Sequence, residues 1–465
     1  MRLNHNTLAF AAKNNLNAIN NNLTRSMERL SSGYKINKSS DDPAAKAISQ
    51  TMQAQIRGLE RAELNANDGI SLIQTAEGAL NEVHSILQRM RELAVQGANE
   101  TYDENDRGAM QDEIEQLKEE LDRIADTTAF NGRSLLNGEL NKKGYTDSDG
   151  LKIVEIGGDI EPGVYGINVA SIGKQAVMSM KPMDAGSTVP AGISGTLYIN
   201  DFPIKVKEGM TAEHINKEIR DAADKINIDY DMAGTFTTQG YGSKQSITLK
   251  GSDPSIETLF NVSGDKTNYG ENAEVDFLKD SVSGERVGFF DTATLETQGN
   301  RITVTDTNGK KMVYEINPDA DVTTGEMNIT VLSAGPMVFQ IGNNEGQVMN
   351  INIEKTTADS LDIPNINVFT HDYAMDALER LDAAIDKVSA IRSSLGAYQN
   401  RLDYTVTNLQ TSNENLTSAV SRIMDTDMAE EITQYTQQNV LSQSALQMLT
   451  KSNARPEGLL QLFQR

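Results

Sequence analysis

One pattern limits what this chain can fold into: an apolar seam whose spacings alternate between three and four residues runs through both ends of the sequence and is absent from its middle. Near the start it comprises Ala66, Gly69, Ile73, Ala76, Leu80, Val83, Leu87, Met90 and Ala94. A mean repeat of about 3.5 keeps one stripe of a helix against a neighbouring helix along its whole length, whereas a half-buried strand needs a repeat of two. Asp42 at the N-cap position and Pro43 at the first helical position mark the beginning. A helix from Pro43 to Gln96 would be about 80 Å long, with Gly58 as its weak point.

A second seam, Met110, Ile114, Leu117, Leu121 and Ile124, follows a turn rich in Asp and Asn and stops at Phe130-Asn131-Gly132, so these two helices should form an antiparallel pair. Near the other end Val388, Ile391, Leu395, Tyr398, Leu402, Thr405, Leu409, Ser412, Leu416, Ala419 and Ile423 repeat the alternation, preceded by Leu378, Leu381 and Ile385 with one slip of phase. That makes a third rod of about 45 residues, roughly 70 Å long. Separate chains could pair through such seams as a coiled-coil dimer. Three seams at opposite ends of one chain fit better with a single bundle in which N- and C-terminal helices lie side by side.

From Leu140 to about Pro336 the pattern changes to short alternating runs bounded by Gly, Asn, Asp and Pro, such as Gly195–Asn200, Ile247–Lys250, Arg301–Asp306 and Lys311–Ile316. These read as strands of an antiparallel β-rich insert, interrupted by one short helix, Thr211–Asn227. The fold class is therefore α+β and multidomain: a long antiparallel coiled-coil-like helical bundle built from both chain ends, with a β-rich central outer insert.

The extremities behave differently. Leu16, Ile19, Leu23 and Leu30 keep heptad-like spacing, yet eight of the first 22 residues are Asn, a poor helix former. Met428, Ile432, Tyr435, Leu446 and Leu449 lie on one helical stripe and Val440, Leu441, Ala445 and Met448 on another. Apolar stripes on more than one face need more than one partner to cover them. Ordering the roughly 85 residues of the two ends costs on the order of 100 kcal/mol in backbone entropy, which at about 25 cal/mol/Å² requires roughly 4,000 Å² of apolar burial. A two-helix pair cannot supply that, so both ends are expected to be disordered in the free monomer and to fold against several neighbouring copies.

Charge agrees with this division. The chain carries −24; residues 1–40 contribute +5 and residues 421–465 contribute −1, leaving −28 on the remainder. That sign excludes nucleic acid and anionic membranes as partners, and the charge that keeps copies apart lies away from the ends. No run approaches the length of a membrane span. The absence of Cys removes disulfides, thiol nucleophiles and thiolate metal sites. The first residues are Asn-rich and lack the basic segment and apolar core of a cleavable signal peptide, so export, if it occurs, is expected to use another route. His5, His84, His214 and His371 are scattered and form no metal motif. No catalytic constellation, cofactor or metal site is expected; Asp425 and Asp427 read as helix-capping and ion-pairing residues rather than an acid/base pair.

Five stretches closely resemble bacterial flagellin: MRLNHNTLAF (Met1–Phe10), ERLSSGYKINKSSDDPAAKAIS (Glu28–Ser49), LQRMRELAVQGANE (Leu87–Glu100), TAFNGRSLLNG (Thr128–Gly138) and the segment Ser421–Arg465. The likeness covers roughly residues 1–140 and 337–465. VFQIGNNEGQVMNINI (Val338–Ile353) looks like the β-hairpin beside flagellin's helical bundle, and LYINDFPIKVKEGMTAEHINKEI (Leu197–Ile219) resembles a small module of flagellin and hook-associated proteins. The ending LLQLFQR (Leu459–Arg465) departs from the family's usual Leu-Leu-Arg.

The resemblance implies a non-enzymatic, extracellular subunit that polymerises into the flagellar filament. Residues 1–44 plus 421–465 would line the filament core, 45–140 plus 337–420 would form the outer tube with its hairpin, and 141–336 would be a variable surface insert containing the hook-associated-type module at about 194–252. Self-assembly is expected from Leu16, Ile19, Leu23, Leu30, Ile432, Tyr435, Leu446 and Leu449. Implied partners are further copies in a homopolymer, an export chaperone at the C-terminal segment, the flagellar cap and hook-junction proteins, and a host Toll-like receptor reading Arg89, Leu93 and Glu113, where Arg89 and Glu113 are also expected to pair across adjacent helices. Secretion would follow type III export without a cleavable signal. The alternatives are a hook-filament junction protein, or a secreted adhesin or enzyme displayed by the insert.

Overall fold

The structure is a computed structural model and describes residues 6–157, 160–184, 186–262, 266–279, 286–290, 292–306, 311–320, 324–332 and 334–463, the last eight of these without their side chains. His5 and the altered side chains of the ending at 459–465 lie outside the described residues. Among the described residues there are seven helices: α1 (Thr7–Ser32), α2 (Pro43–Gly97), α3 (Glu104–Thr127), α4 (Ala212–Lys225), α5 (Pro254–Phe260), α6 (His371–Met424) and α7 (Met428–Phe463). They divide between two compact units, one made of residues 1–67, 340–348 and 402–465, the other of 68–339 and 349–401. The long helices α2 and α6 contribute to both.

The start of α2 follows the residues that signal it. Asp42 Oδ1 accepts from the Ala45 backbone N–H at 3.0 Å and Pro43 sits where its missing donor costs nothing. Every residue of the first seam, from Ala66 to Ala94, is buried, and the helix runs 55 residues without a break. Gly58, in the first unit, has a reason to be there. A Cβ on it would come within 2.9 Å of the Asn343 Cβ in the turn of the hairpin formed by Met337–Gln340 and Val348–Ile351. On helix propensity alone Gly58→Ala would stabilise by about 1 kcal/mol; because the hairpin turn must shift to admit the methyl, the expected result is instead a lower melting temperature by circular dichroism.

The third rod is longer than its 45 expected residues: α6 has 54. Its seam also has no slip of phase. Burial selects Ala374, Ala377, Leu381, Ala384, Val388, Ile391 and Leu395 in the second unit, continuing the alternation through Ala377 and Ala384 rather than through Leu378 and Ile385. Small alanines let a neighbouring backbone approach, whereas hydropathy favours the larger residues beside them. In the first unit Leu59, Ala62 and Leu409 form a small cluster with Leu416 packed against it. α3 starts with a capping box of Asp103 and Asp106 and buries Met110, Ile114 and Leu121. It holds the segment after the hairpin through Gln111, whose Nε2 donates to Ile366 O at 2.8 Å, and Lys118, whose Nζ donates to Pro364 O at 2.7 Å.

The insert, in the second unit, contains two cores. In one, α4 lays Ile215, Ile219 and Ala223 against Leu197, Ile199, Ile204 and Ile247 of a four-stranded sheet ordered Lys266–Tyr269, Ser246–Gly251, Gly195–Ile199, Phe202–Val206. The other is a sandwich. Strands Glu274–Phe277, Gly163–Ser171, Gly325–Val331 and Gly144–Thr146 form one sheet, and Thr294–Gln298, Arg301–Thr305, Lys311–Ile316 and Leu151–Ile156 form the second. Ile167, Val169, Met327 and Ile329 of the first share a core with Ile302, Val304, Met312 and Tyr314 of the second. All four strands expected from alternation are present. Among its described residues the insert has two helices rather than one; α5, only seven residues long, is too short to show a period.

Candidate self-assembly interface

α1 and α7 pack together in the first unit. The less exposed stripe of α1 is Ala9, Ala12, Leu16, Ile19, Leu23, Ser26 and Leu30, so all four candidates on this helix lie on the seam. The corresponding stripe of α7 is Glu431, Tyr435, Gln438, Ser442, Ala445, Leu449 and Ser452. It is mostly small and polar. Asn6 Nδ2 donates to Ser452 O at 2.9 Å, Ser442 Oγ to Asn20 Oδ1 at 3.1 Å, and Arg29 faces buried Glu431 at 3.5 Å. Hydrophobic spacing carries no signal for these polar contacts; the opposite charges of Arg29 and Glu431 are the only hint.

This corrects the sequence grouping of α7. Tyr435 and Leu449 turn inward with Ala445, but Ile432 and Leu446, expected on the same stripe, are 52% and 55% exposed. Serine and alanine let α1 sit close along the seam, and the bulkier residues are displaced to its flanks and outer side. Met428, Val440, Leu441 and Met448 are exposed as well, as are Leu8, Phe10 and Met27 on α1. Large apolar side chains therefore surround the helix pair on its open faces, a pattern that marks interaction surfaces.

The inner ends of the two helices are fixed by backbone. Gly33 closes α1 in the left-handed region at φ 75°, donating its N–H to Arg29 O at 2.8 Å. Beyond it, Lys35 N donates to Met424 O at 2.6 Å and Thr426 N to Gly33 O at 3.0 Å, tying the α1–α2 link to the break between α6 and α7. Asp427 caps α7, its Oδ1 accepting from Ala429 N at 2.9 Å and Glu430 N at 3.2 Å. Asp425 accepts from Ser421 Oγ at 2.6 Å. In the link itself the Lys38 N–H, donating at 2.9 Å, holds the Asp41 carboxyl below the usual carboxylate range.

In the second unit Arg89 Nε donates to Glu113 Oε1 at 2.8 Å and its Nη1 to Glu92 Oε2 at 3.1 Å. The expected pairing of α2 with α3 through these side chains is present. Leu93 is only 2% exposed, so it lies under the surface on which Arg89 and Glu113 sit. No helix among the described residues is long and apolar enough to cross a membrane.

Residues 3–141 match the family model of the bacterial flagellin N-terminal helical region, and residues 378–463 that of the C-terminal helical region. A flagellin of Clostridium tyrobutyricum is 36% identical over 458 residues, covering 98% of this chain and 100% of its own length. Flagellin B of Vibrio cholerae is 31% identical, covering 100% of this chain and 99% of its own. The solved structure of FliC from Burkholderia pseudomallei shares 17% identity over 72% of this chain and 99% of that one, at a TM-score of 0.24, too loose an overlay to carry an argument.

Long helices donated by both ends of one chain, with uncovered apolar side chains on α1 and α7 and a β-rich insert between them in sequence, define a structural, filament-forming class of protein. The chain belongs to the flagellin family and is a structural subunit of the extracellular flagellar filament. Its full-length likeness to flagellins favours this reading over a hook-junction protein.

Proposed function

We propose that this flagellin polymerises by coupled folding and association of α1 and α7, with Leu16, Ile19, Leu23, Leu30, Tyr435 and Leu449 holding the pair together and Ile432 and Leu446 meeting neighbouring copies. The observation that carries the reading is the exposure of apolar residues on the open faces of a pair whose seam is mostly small and polar on the α7 side. Such a pair gains too little from its own seam to offset the entropy of ordering it; sister helices would supply the missing burial.

In this reading residues 1–44 and 421–465 line the filament core, 45–140 and 337–420 form the outer tube, and 141–336 faces solvent, with the module at about 194–252 inside it. The chain acts without catalysis. It leaves the cell through type III export without a cleavable signal, with a chaperone on the C-terminal segment beforehand and the cap and junction proteins as partners at the filament ends. A host Toll-like receptor reads the surface formed by Arg89 and Glu113 and supported from below by Leu93.

Hydrogen exchange tests the central claim. In dilute, unassembled protein the amides of α1 and α7 are expected to exchange at nearly random-coil rates while those of α2 and α3 stay protected; in filaments all four should be protected. Strong protection of both terminal helices in the dilute monomer would sink the proposal.

A further inference from the structure

We propose that the second unit carries a binding site for a neutral saccharide in the polar cleft where the two insert cores meet the segment 359–380. The open cleft holds about 280 Å³, just below the roughly 300–1,000 Å³ of small-molecule sites, which restricts it to a small ligand such as a monosaccharide. Three parts of the unit wall it: residues 226–245 of the α4 core, 298–315 of the sandwich, and 359–380.

The first support is a buried polar group left over. Asn300, one of the lining residues, is 6% exposed; its Oδ1 accepts from Gly173 N at 2.7 Å, while its buried Nδ2 has no partner among the described residues. An unpaired buried amide is costly unless a ligand or water completes it. The second is that further hydrogen-bonding side chains on the same wall are unused. The amides of Gln245, Gln298 and Asn365 and the hydroxyl of Tyr241 make no side-chain hydrogen bond among the described residues, although all four line the cleft. Burial pushes the Tyr241 phenol up, which keeps it a neutral donor.

The third is charge. Arg301 is taken by Asp362 at 2.7 Å, Arg380 by Asp376 at 2.8 Å, and Lys244 by Glu379 at 3.1 Å. With Glu315 and Asp359 also on the wall, carboxylates there outnumber cations four to three, so an anion finds no free positive charge. Amides that offer a donor and an acceptor each, one neutral phenol and no uncompensated cation suit vicinal hydroxyls, which need both functions at close spacing. This places a recognition function where the insert meets the segment 359–380, separate from polymerisation.

The test is ligand-observed saturation-transfer NMR on the full-length, unassembled protein against glucose, galactose, mannose and N-acetylglucosamine, with inorganic phosphate and sialic acid as anionic probes. At least one neutral sugar is expected to bind, with a dissociation constant on the order of millimolar as for any small polar ligand. The double variant Gln245→Ala/Asn365→Ala, which removes two side chains that bond nothing in the folded chain, should weaken it by about tenfold with the circular dichroism melt unchanged. Absence of transfer to every neutral sugar overturns the proposal. So does transfer that survives the double variant undiminished, or binding of phosphate or sialic acid in preference to the neutral probes.

Discussion

Deletion of Ser421–Arg465 is expected to reduce filament yield from nearly complete to undetectable by sedimentation and electron microscopy, while the chain keeps most of its helical circular dichroism. The deletion removes α7 entirely and with it the outward apolar side chains Ile432, Val440, Leu441, Leu446 and Met448. It also strips α1 of its seam partner, so Leu16, Ile19 and Leu23 would have nothing in their own chain to cover them. The second unit loses none of its residues. Its seams on α2, α3 and α6, with Leu80, Leu87, Ile114, Leu121 and Leu381 fully buried, keep all their contacts. Filaments from the truncated chain would show that the terminal helices are not what joins copies.

The long helices were legible because their buried residues repeat every three or four positions and because Asp42 and Pro43 announce a start. The apolar pattern departs from the phase of α6 only where alanines form the seam, since hydropathy ranks Leu378 above Ala377 although packing prefers the smaller residue. The α7 seam was hidden for the same reason, carried to the point where Ser442, Ala445 and Ser452 face α1 and Leu446 does not. In the insert, alternation located strands one at a time but not their partners. Lys311–Ile316 pairs with Leu151–Ile156 about 160 residues earlier, and no local pattern encodes a pairing at that separation. The cleft around Asn300 was equally invisible, because its walls come from three distant segments and consist of residues that elsewhere signal only turns and surface.

The largest single-residue effect on stability is expected at Lys387. Its Nζ donates to Glu155 Oε2 at 2.5 Å and to Ser360 O at 2.9 Å; Glu155 is buried and Lys387 half-buried, with side chains 4% and 16% exposed. Glu155 comes from an insert strand, Lys387 from α6, and Glu354, hydrogen-bonded to Glu155, from the segment after the hairpin; Lys311 is the other cation nearby. Lys387→Met would leave Glu155 buried beside a second carboxyl with its main counter-charge gone, and should cost about 3–5 kcal/mol. Adding Glu155→Gln should recover a large part of the loss, which a purely steric defect would not allow. The same cluster fixes the direction of a pH effect. Burial pushes Glu155 up, but Lys387 and Lys311 outweigh it and its carboxyl sits below the ordinary value. Burial first, then the Glu155 charge, push Glu354 up to about 7. A carboxyl raised on folding holds its proton in the native state where the unfolded chain has lost it, so its contribution is complete below the ordinary value near 4.5 and is lost as pH rises through about 7. Glu155 acts oppositely, losing its contribution only as pH falls below 4.5 toward its own lowered value. Between pH 5 and 8 the melting temperature of the second unit should therefore fall, and Glu354→Gln should flatten that fall. An unchanged slope in the variant would mean that another group titrates there.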